Sequence, residues 1–364
     1  MKEFCIAAFG EIMLRLSPPG KKRFIQSLPG QLDACFGGAE ANVCASLSIL
    51  GAKNRMLSVL PKNPVTKPLL VQLRGLGCDV EHMLLTDSGR FGIYYAEHGS
   101  MQRGSNVFYD RDGSAIAETP AEAYDFDSML SGCTHLLVSG ITPGISRNAF
   151  EAVLKLVRTA AERNLFIYCD LNFRSKLWRW DPSCTVRELA EKCMREILPH
   201  VDCMIGSVSE MKDMFGLVIP DSMKSADPLT RYSYLAAQLG NLFPKTRYVA
   251  IPLRDSFSAD RISWGGLLYD MKAGKGYLAP VSRDGVFTPY SIDQIVDVFG
   301  GGDAFTAGLI YALQSEDWKE PEKAIGFAAA ASCLKHTNAG DFNFTELEEV
   351  LGLLEDGGQG NIKR

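Results

Sequence analysis

The stretch Asp297–Tyr311, DVFGGGDAFTAGLIY, decides the fold class: three consecutive glycines, an aspartate, then small and apolar residues in a helical pattern. Gly300, Gly301 and Gly302 let backbone N–H groups approach an anion with no Cβ in the way. A helix starting here also turns its positive dipole end toward the same point. Asp303 then lies at the edge of this anion hole, either as a base or as an ordinary acid in a helix first turn.

Outward from this stretch, short apolar runs at Phe4–Phe9, Asn54–Leu60, His135–Ser139, Phe166–Asp170, Cys203–Ser207 and Tyr248–Pro252 alternate with helical patterns. That alternation predicts an α/β fold with a mostly parallel central sheet covered by helices on both faces. Asn148–Arg163 carries one apolar helix face, and Val71–Leu76, Leu189–Leu198, Leu235–Leu242 and Ala304–Leu313 read similarly. Two regions break the rhythm, about 13–36 and 91–117, where turn residues separate extended runs such as FGIYYAEH and SNVFYDR. They are expected to be antiparallel excursions that pair as a small β-sheet lid over the ligand-binding edge of the main sheet. The expected organisation is one domain over 1–354 and a polar, glycine-rich tail over 355–364.

Composition limits what such a fold does. Of 364 residues, 46% are hydrophobic and 22% charged, and 38 Lys and Arg against 43 Asp and Glu give a net charge of -5. Disorder is excluded, and neither a basic footprint for nucleic acid nor a basic membrane-surface helix is present. No apolar run approaches the roughly 20 residues that cross a bilayer. The opening MKEFCIAAFGEI is read as a first strand and not as a signal peptide. Ten cysteines are scattered singly with no CxxC pair, as reduced thiols are in the expected cytoplasmic location. His82, His98, His135, His200 and His336 are too far apart in sequence to suggest a zinc site. Neither GxxxxGK[ST] nor a GxGxxG after a strand occurs, so any phosphate chemistry falls to the triple-glycine stretch.

Asp297, Val298, Gly300–Gly302, Asp303, Ala307 and Gly308 together resemble the C-terminal signature of the ribokinase-like (PfkB) carbohydrate kinases. The strand end at Gly10 and Glu11 and the segment GGAEANVCASLSILG from Gly37 follow in that family's order, and the two excursions match its lid. FGIYYAEH, VFYDRDGSA, SGITPGIS and DLNFRSKLW are similar to the 2-keto-3-deoxygluconate kinase branch. The resemblance implies an enzyme that phosphorylates a hydroxyl of that sugar acid with ATP and magnesium; separately, a small lid with open edges and aromatics such as Phe91, Tyr95 and Phe108 is expected to pair with a second copy in a homodimer or higher oligomer. The resemblance places Gly38, Asn42, Tyr94, Tyr109, Arg111, Ile141, Arg174 and Asp303 around the substrate, with Asp303 as base. Arg174 and Gly300–Gly302 then serve catalysis. Ser207, Glu210, Gly300 and Gly302 serve the nucleotide, and Glu210 reaches the metal through water.

Chemistry agrees with parts of this. A sugar acid differs from a neutral sugar by a carboxylate, and the guanidinium forks of Arg111 and Arg174 suit it. Plainer roles exist for each residue: Arg111 bridging Asp110 and Asp112, Asn42 capping backbone, Glu210 as a first-turn acid. Tyr94 and Tyr109 fit ordinary strand packing. The paired glycines Gly37 and Gly38 are expected to admit the sugar closely. Two departures stand out: Ser207 where the family has an asparagine, and the long Pro252–Gly266 run where many members have a compact Gly-x-x-Gly loop. A neutral-ketose kinase such as a fructokinase, or a non-catalytic sugar-acid-binding regulator, would share most of these features.

Overall fold

The computed structural model describes residues 4–356. Nine strands form the central sheet. From one edge it runs Asn54–Leu57, Ile6–Phe9, His135–Ser139, Phe166–Asp170, Cys203–Ile205 and Tyr248–Ser256, all parallel. Arg261–Asp270, Lys275–Ala279 and Tyr290–Asp293 complete it antiparallel. The parallel strands are almost continuously apolar because both faces are covered. Successive side chains enter two separate cores: Ile6, Ala8, Tyr168, Ile205 and Ala250 on one face, Ala7, Phe9, Ile167, Met204 and Val249 on the other. The first core takes the helices Ala39–Ile49, Thr66–Leu76, Gly301–Gln314 and Pro321–Lys335, and the second takes Arg147–Glu162 and Val186–Ile197.

The lid is a second sheet in the order Asp33–Gly37, Met13–Ser17, Gly92–Glu97, Asn106–Asp110. The two excursions therefore pair as expected, but the seam between them, Met13–Leu16 on Gly92–Tyr95, is parallel. Only the outer pairs are antiparallel. The second excursion also ends sooner than 117, since Ala115–Glu118 is a short helix.

Two strand readings need correction. The run Asn54–Leu60 is split: Asn54–Leu57 joins the central sheet, whereas Val59–Pro61 leaves it to pair with Leu84–Thr86. At the break, the Ser58 hydroxyl donates to the Gly10 carbonyl at 2.7 Å. The strand beginning at Tyr248 continues to Ser256 and folds back as Arg261–Asp270, a long hairpin. Its tip reaches the lid: the Ala259 amide donates to the Met101 carbonyl at 2.8 Å, and Asp260 accepts from the Met101 amide at 2.6 Å. Lys21 pairs with the same Asp260 carboxylate. This strap crosses above the C-terminal strand edge. Of the expected polar tail, only Glu355 and Asp356 lie within the described residues, and they close the helix Leu347–Asp356.

Candidate active site

The triple glycine begins the helix Gly301–Gln314, with Gly300 as its N-cap in the left-handed region at φ 81°. A Cβ on Gly300 would fall 2.4 Å from the Asp341 carbonyl, and one on Gly301 would fall 2.8 Å from the His336 ring. These two are glycine because the protein packs against them. Gly302 differs, since a Cβ there would meet nothing within 4 Å. It is the one of the three whose bareness faces open space.

That space belongs to a cavity of about 770 Å³ under the strap. Gly300, Gly301, Gly302, Asp303, Arg174, Ser207 and Glu210 all line it, as do Arg254 and Trp264 from the strap. Seven residues expected at the nucleotide and transfer site are thus gathered by three elements. Arg174 follows the strand Phe166–Asp170, Ser207 follows Cys203–Ile205, and the glycines begin their helix.

Asp303 stands where this cavity meets the lid side. Asn42 donates to its Oδ2 at 2.6 Å, from the helix Ala39–Ile49. Burial is the largest influence on its carboxyl and pushes the pKa up to about 6, against the Asn42 hydrogen bond and the nearby Arg174 charge, which favour ionisation. A carboxylate so tuned accepts a proton near neutral pH better than an exposed aspartate would. Two other acids surround it: burial raises Asp170 well above the usual carboxylate range and raises Glu40 to about 7. Glu40 accepts from the Ser139 hydroxyl at 2.6 Å.

On the lid side several residues expected at the substrate have partners inside the protein. Arg111 bridges neither Asp110 nor Asp112, and its Nε has no hydrogen-bond partner among the described residues. It is buried and its Nη2 donates to Glu11, itself buried. Asp110 is taken by Arg90 at 2.6 Å. Tyr94 donates its hydroxyl to Asp341, and its ring lies 6.1 Å from that of Tyr109. Gly38 also has a structural reason to be glycine, because a Cβ there would lie 2.3 Å from the Glu11 carbonyl. Ile141 follows the strand His135–Ser139, its amide held by the Ser139 hydroxyl at 3.2 Å, and it does not line the cavity. Tyr109 and Arg111 line a separate hollow with Lys176, Arg179 and Trp180.

Glu210 takes the plainer of its two roles in full: its Oε2 accepts from the Ser207 amide at 2.7 Å and from the Ser207 hydroxyl at 2.9 Å, in a capping box. Its other oxygen faces Arg174 at 3.7 Å. No group of three or more His, Cys, Asp or Glu residues could hold a metal among the described residues. Glu210 and Asp170 nevertheless border the cavity. That suits magnesium, which keeps several waters and takes further ligands from phosphate.

Sequence reasoning missed several residues. Arg254 lines the cavity with no hydrogen-bond or ion-pair partner among the described residues, and burial lowers its pKa. Arg15, Asp297, Lys335 and Asp341 form a buried charge cluster behind the glycines, joined across 326 positions of chain. Of these, only Asp297 belonged to a motif.

The chain is similar over nearly its whole length to known carbohydrate kinases. The pattern of the pfkB family carbohydrate kinases matches residues 5–231 and 273–346, and the unmatched stretch between them contains the strap. A 2-dehydro-3-deoxygalactonokinase of Haloferax volcanii is 30% identical over 98% of this chain and 98% of its own. The crystal structure of a 2-dehydro-3-deoxygluconokinase from Thermotoga maritima is 33% identical, with a TM-score of 0.86 over 97% of this chain and 99% of that one. A Xylella fastidiosa fructokinase with bound ATP shares the fold at 19% identity, with a TM-score of 0.73 over 98% and 99%. No helix of the described residues is long and apolar enough to cross a membrane.

Proposed function

The chain belongs to the pfkB family of carbohydrate kinases, and from that membership we propose that it transfers the γ-phosphoryl group of ATP to a hydroxyl of a 2-keto-3-deoxy sugar acid of the gluconate or galactonate series. The observation that carries this is Asp303, its pKa raised to about 6, held by Asn42 and set in the first turn behind Gly300–Gly302 in the cavity that Arg174 shares. In this reading Asp303 accepts the proton of the attacking hydroxyl. The exposed Gly302 end of the helix holds the developing charge on the transferring group. Arg174 and Arg254, neither of them buried in a tight ion pair, supply positive charge to phosphate or carboxylate oxygens. Magnesium, when bound, would neutralise phosphate charge, with Glu210 and Asp170 as its outer partners. Catalysis is then mainly positioning and electrostatics.

A neutral ketose as substrate has one observation in its favour: Glu11 already neutralises Arg111, so one of the two expected carboxylate forks is engaged inside the protein. A panel of gluconate- and galactonate-series keto-deoxy acids with fructose and ribose, assayed for ATP consumption, separates the two. A higher kcat/KM on any neutral sugar than on both acids would defeat the sugar-acid reading.

A further inference from the structure

Lys335 is among the largest side chains with no exposed surface, at 0% exposure, and no step above uses it. A buried ammonium is costly unless its surroundings are built for it. They are. Its Nζ donates to the Asn338 carbonyl at 3.2 Å and to the Gly340 carbonyl at 3.0 Å. Asp297 and Asp341 lie close enough to favour its charged form, against burial, which is the largest influence and lowers its pKa. Asp297 accepts from the Gly340 amide at 2.9 Å and from Arg15 at 2.6 Å, and Arg15 also reaches Asp341 at 2.8 Å. Two cations and two carboxylates therefore balance in a buried cluster.

The cluster sits directly behind the anion hole. A Cβ on Gly300 would lie 3.1 Å from Lys335 Cε. Other residues at the end of the same helix grip the same loop: Ser332 donates to the Gly301 carbonyl at 2.6 Å, and the Val296 amide donates to the His336 carbonyl at 2.9 Å. The loop 338–341 that Lys335 holds by its carbonyls is the one whose Asp341 carbonyl abuts Gly300.

We propose that Lys335 is a positioning residue for phosphoryl transfer: a cation tethered inside the protein that locks the loop 338–341 against Gly300 and so fixes the amides of Gly300–Gly302 and the carboxylate of Asp303. The two carbonyls at its Nζ, within the longer-range field of Asp297 and Asp341, make a site for any small cation with N–H donors, which the side chain fills by being covalently attached. This inference rests on reading Gly300–Gly302 as the anion hole of a kinase.

Removing the side chain should open that site to ammonium ions from solution. Displacement of catalytic groups by about 1 Å can cost about 10²-fold, so Lys335→Ala should lose roughly 30- to 100-fold in kcat with KM for the sugar changed less than about threefold. Ammonium or methylammonium should restore at least about tenfold, saturably. Tetramethylammonium at equal ionic strength should restore nothing, and the parent should ignore all three. Lys335→Met, which keeps the packing without the charge, should show the same kcat loss without rescue. Melting temperature read in the same titrations reports cation binding to Lys335→Ala without turnover. A parent inactive on every sugar would then fail the kinase reading while this cation site remained measurable. The proposal is overturned by a Lys335→Met enzyme as active as the parent, by a folded Lys335→Ala whose activity and melting temperature ignore ammonium, or by failure of both variants to fold.

Discussion

Asp303 makes the sharpest claims at the scale of single residues. Asp303→Asn keeps the shape but cannot take a proton, so kcat should fall by about 10²- to 10⁴-fold. In the parent, kcat/KM should climb with pH through about 6 and level off above it, as Asp303 ionises. Stability runs the opposite way. A carboxyl whose pKa is raised by folding stabilises the native state below its unfolded value and loses that contribution as pH rises through its folded one. The asparagine variant should therefore melt higher than the parent at pH 8, and the gap should close toward pH 4. Melting curves at both pH values check the sign. The two arginines once expected to act alike should part company. Arg111→Ala strands the buried Glu11 carboxylate and should cost about 3–5 kcal/mol in denaturant unfolding, an effect of broken buried pairs. Arg174→Ala, on a half-exposed side chain, should leave unfolding nearly unchanged while lowering kcat/KM for the sugar acid about 10- to 150-fold, the worth of a charged hydrogen bond.

At the scale of elements, legibility followed how local each signal is. His135–Ser139 and Phe166–Asp170 could be read to the residue because strands buried on both faces are continuous apolar runs bounded by polar ones. The glycine helix was readable because its N-terminus needs particular residues in a fixed order. The strap was not, since Pro252 and the polar run SFSAD look like loop when the partner strand is unknown. The charge cluster of Arg15, Asp297, Lys335 and Asp341 left no pattern beyond the motif that holds Asp297: contacts between residues far apart in the chain have no period. The strap also carries a prediction. Replacing Phe257–Asp260 by a two-residue Asn-Gly turn would keep the hairpin but remove Phe257, Ser258 and Ala259 from the cavity wall. KM for the nucleotide should rise about tenfold, a loss near 1.4 kcal/mol, with KM for the sugar acid changed less than about threefold in steady-state assays.

For the whole molecule, the lid remains the surface that asks for a partner. Phe108 is 66% exposed and Ile25 is 86% exposed, and the lid's two edge strands, Asp33–Gly37 and Asn106–Asp110, each pair with the lid on one side only. Such a sheet is a liability unless covered, and a second copy of the same lid would cover it. Phe108→Asp should raise the dimer dissociation constant at least about a hundredfold by sedimentation, and a parent monomeric at every concentration would dispose of the idea. The strap has one further effect on timing. Its tip is fastened to the lid at Met101 and Lys21, so the strap cannot swing away from the cavity without disturbing the lid. With the nucleotide bound in that cavity as proposed, its departure and the lifting of the lid would become one large motion through solvent, and such motions commonly limit turnover. Turnover at saturation should slow in proportion to added sucrose viscosity in the parent, and lose that drag when Asp260 is changed to Ala.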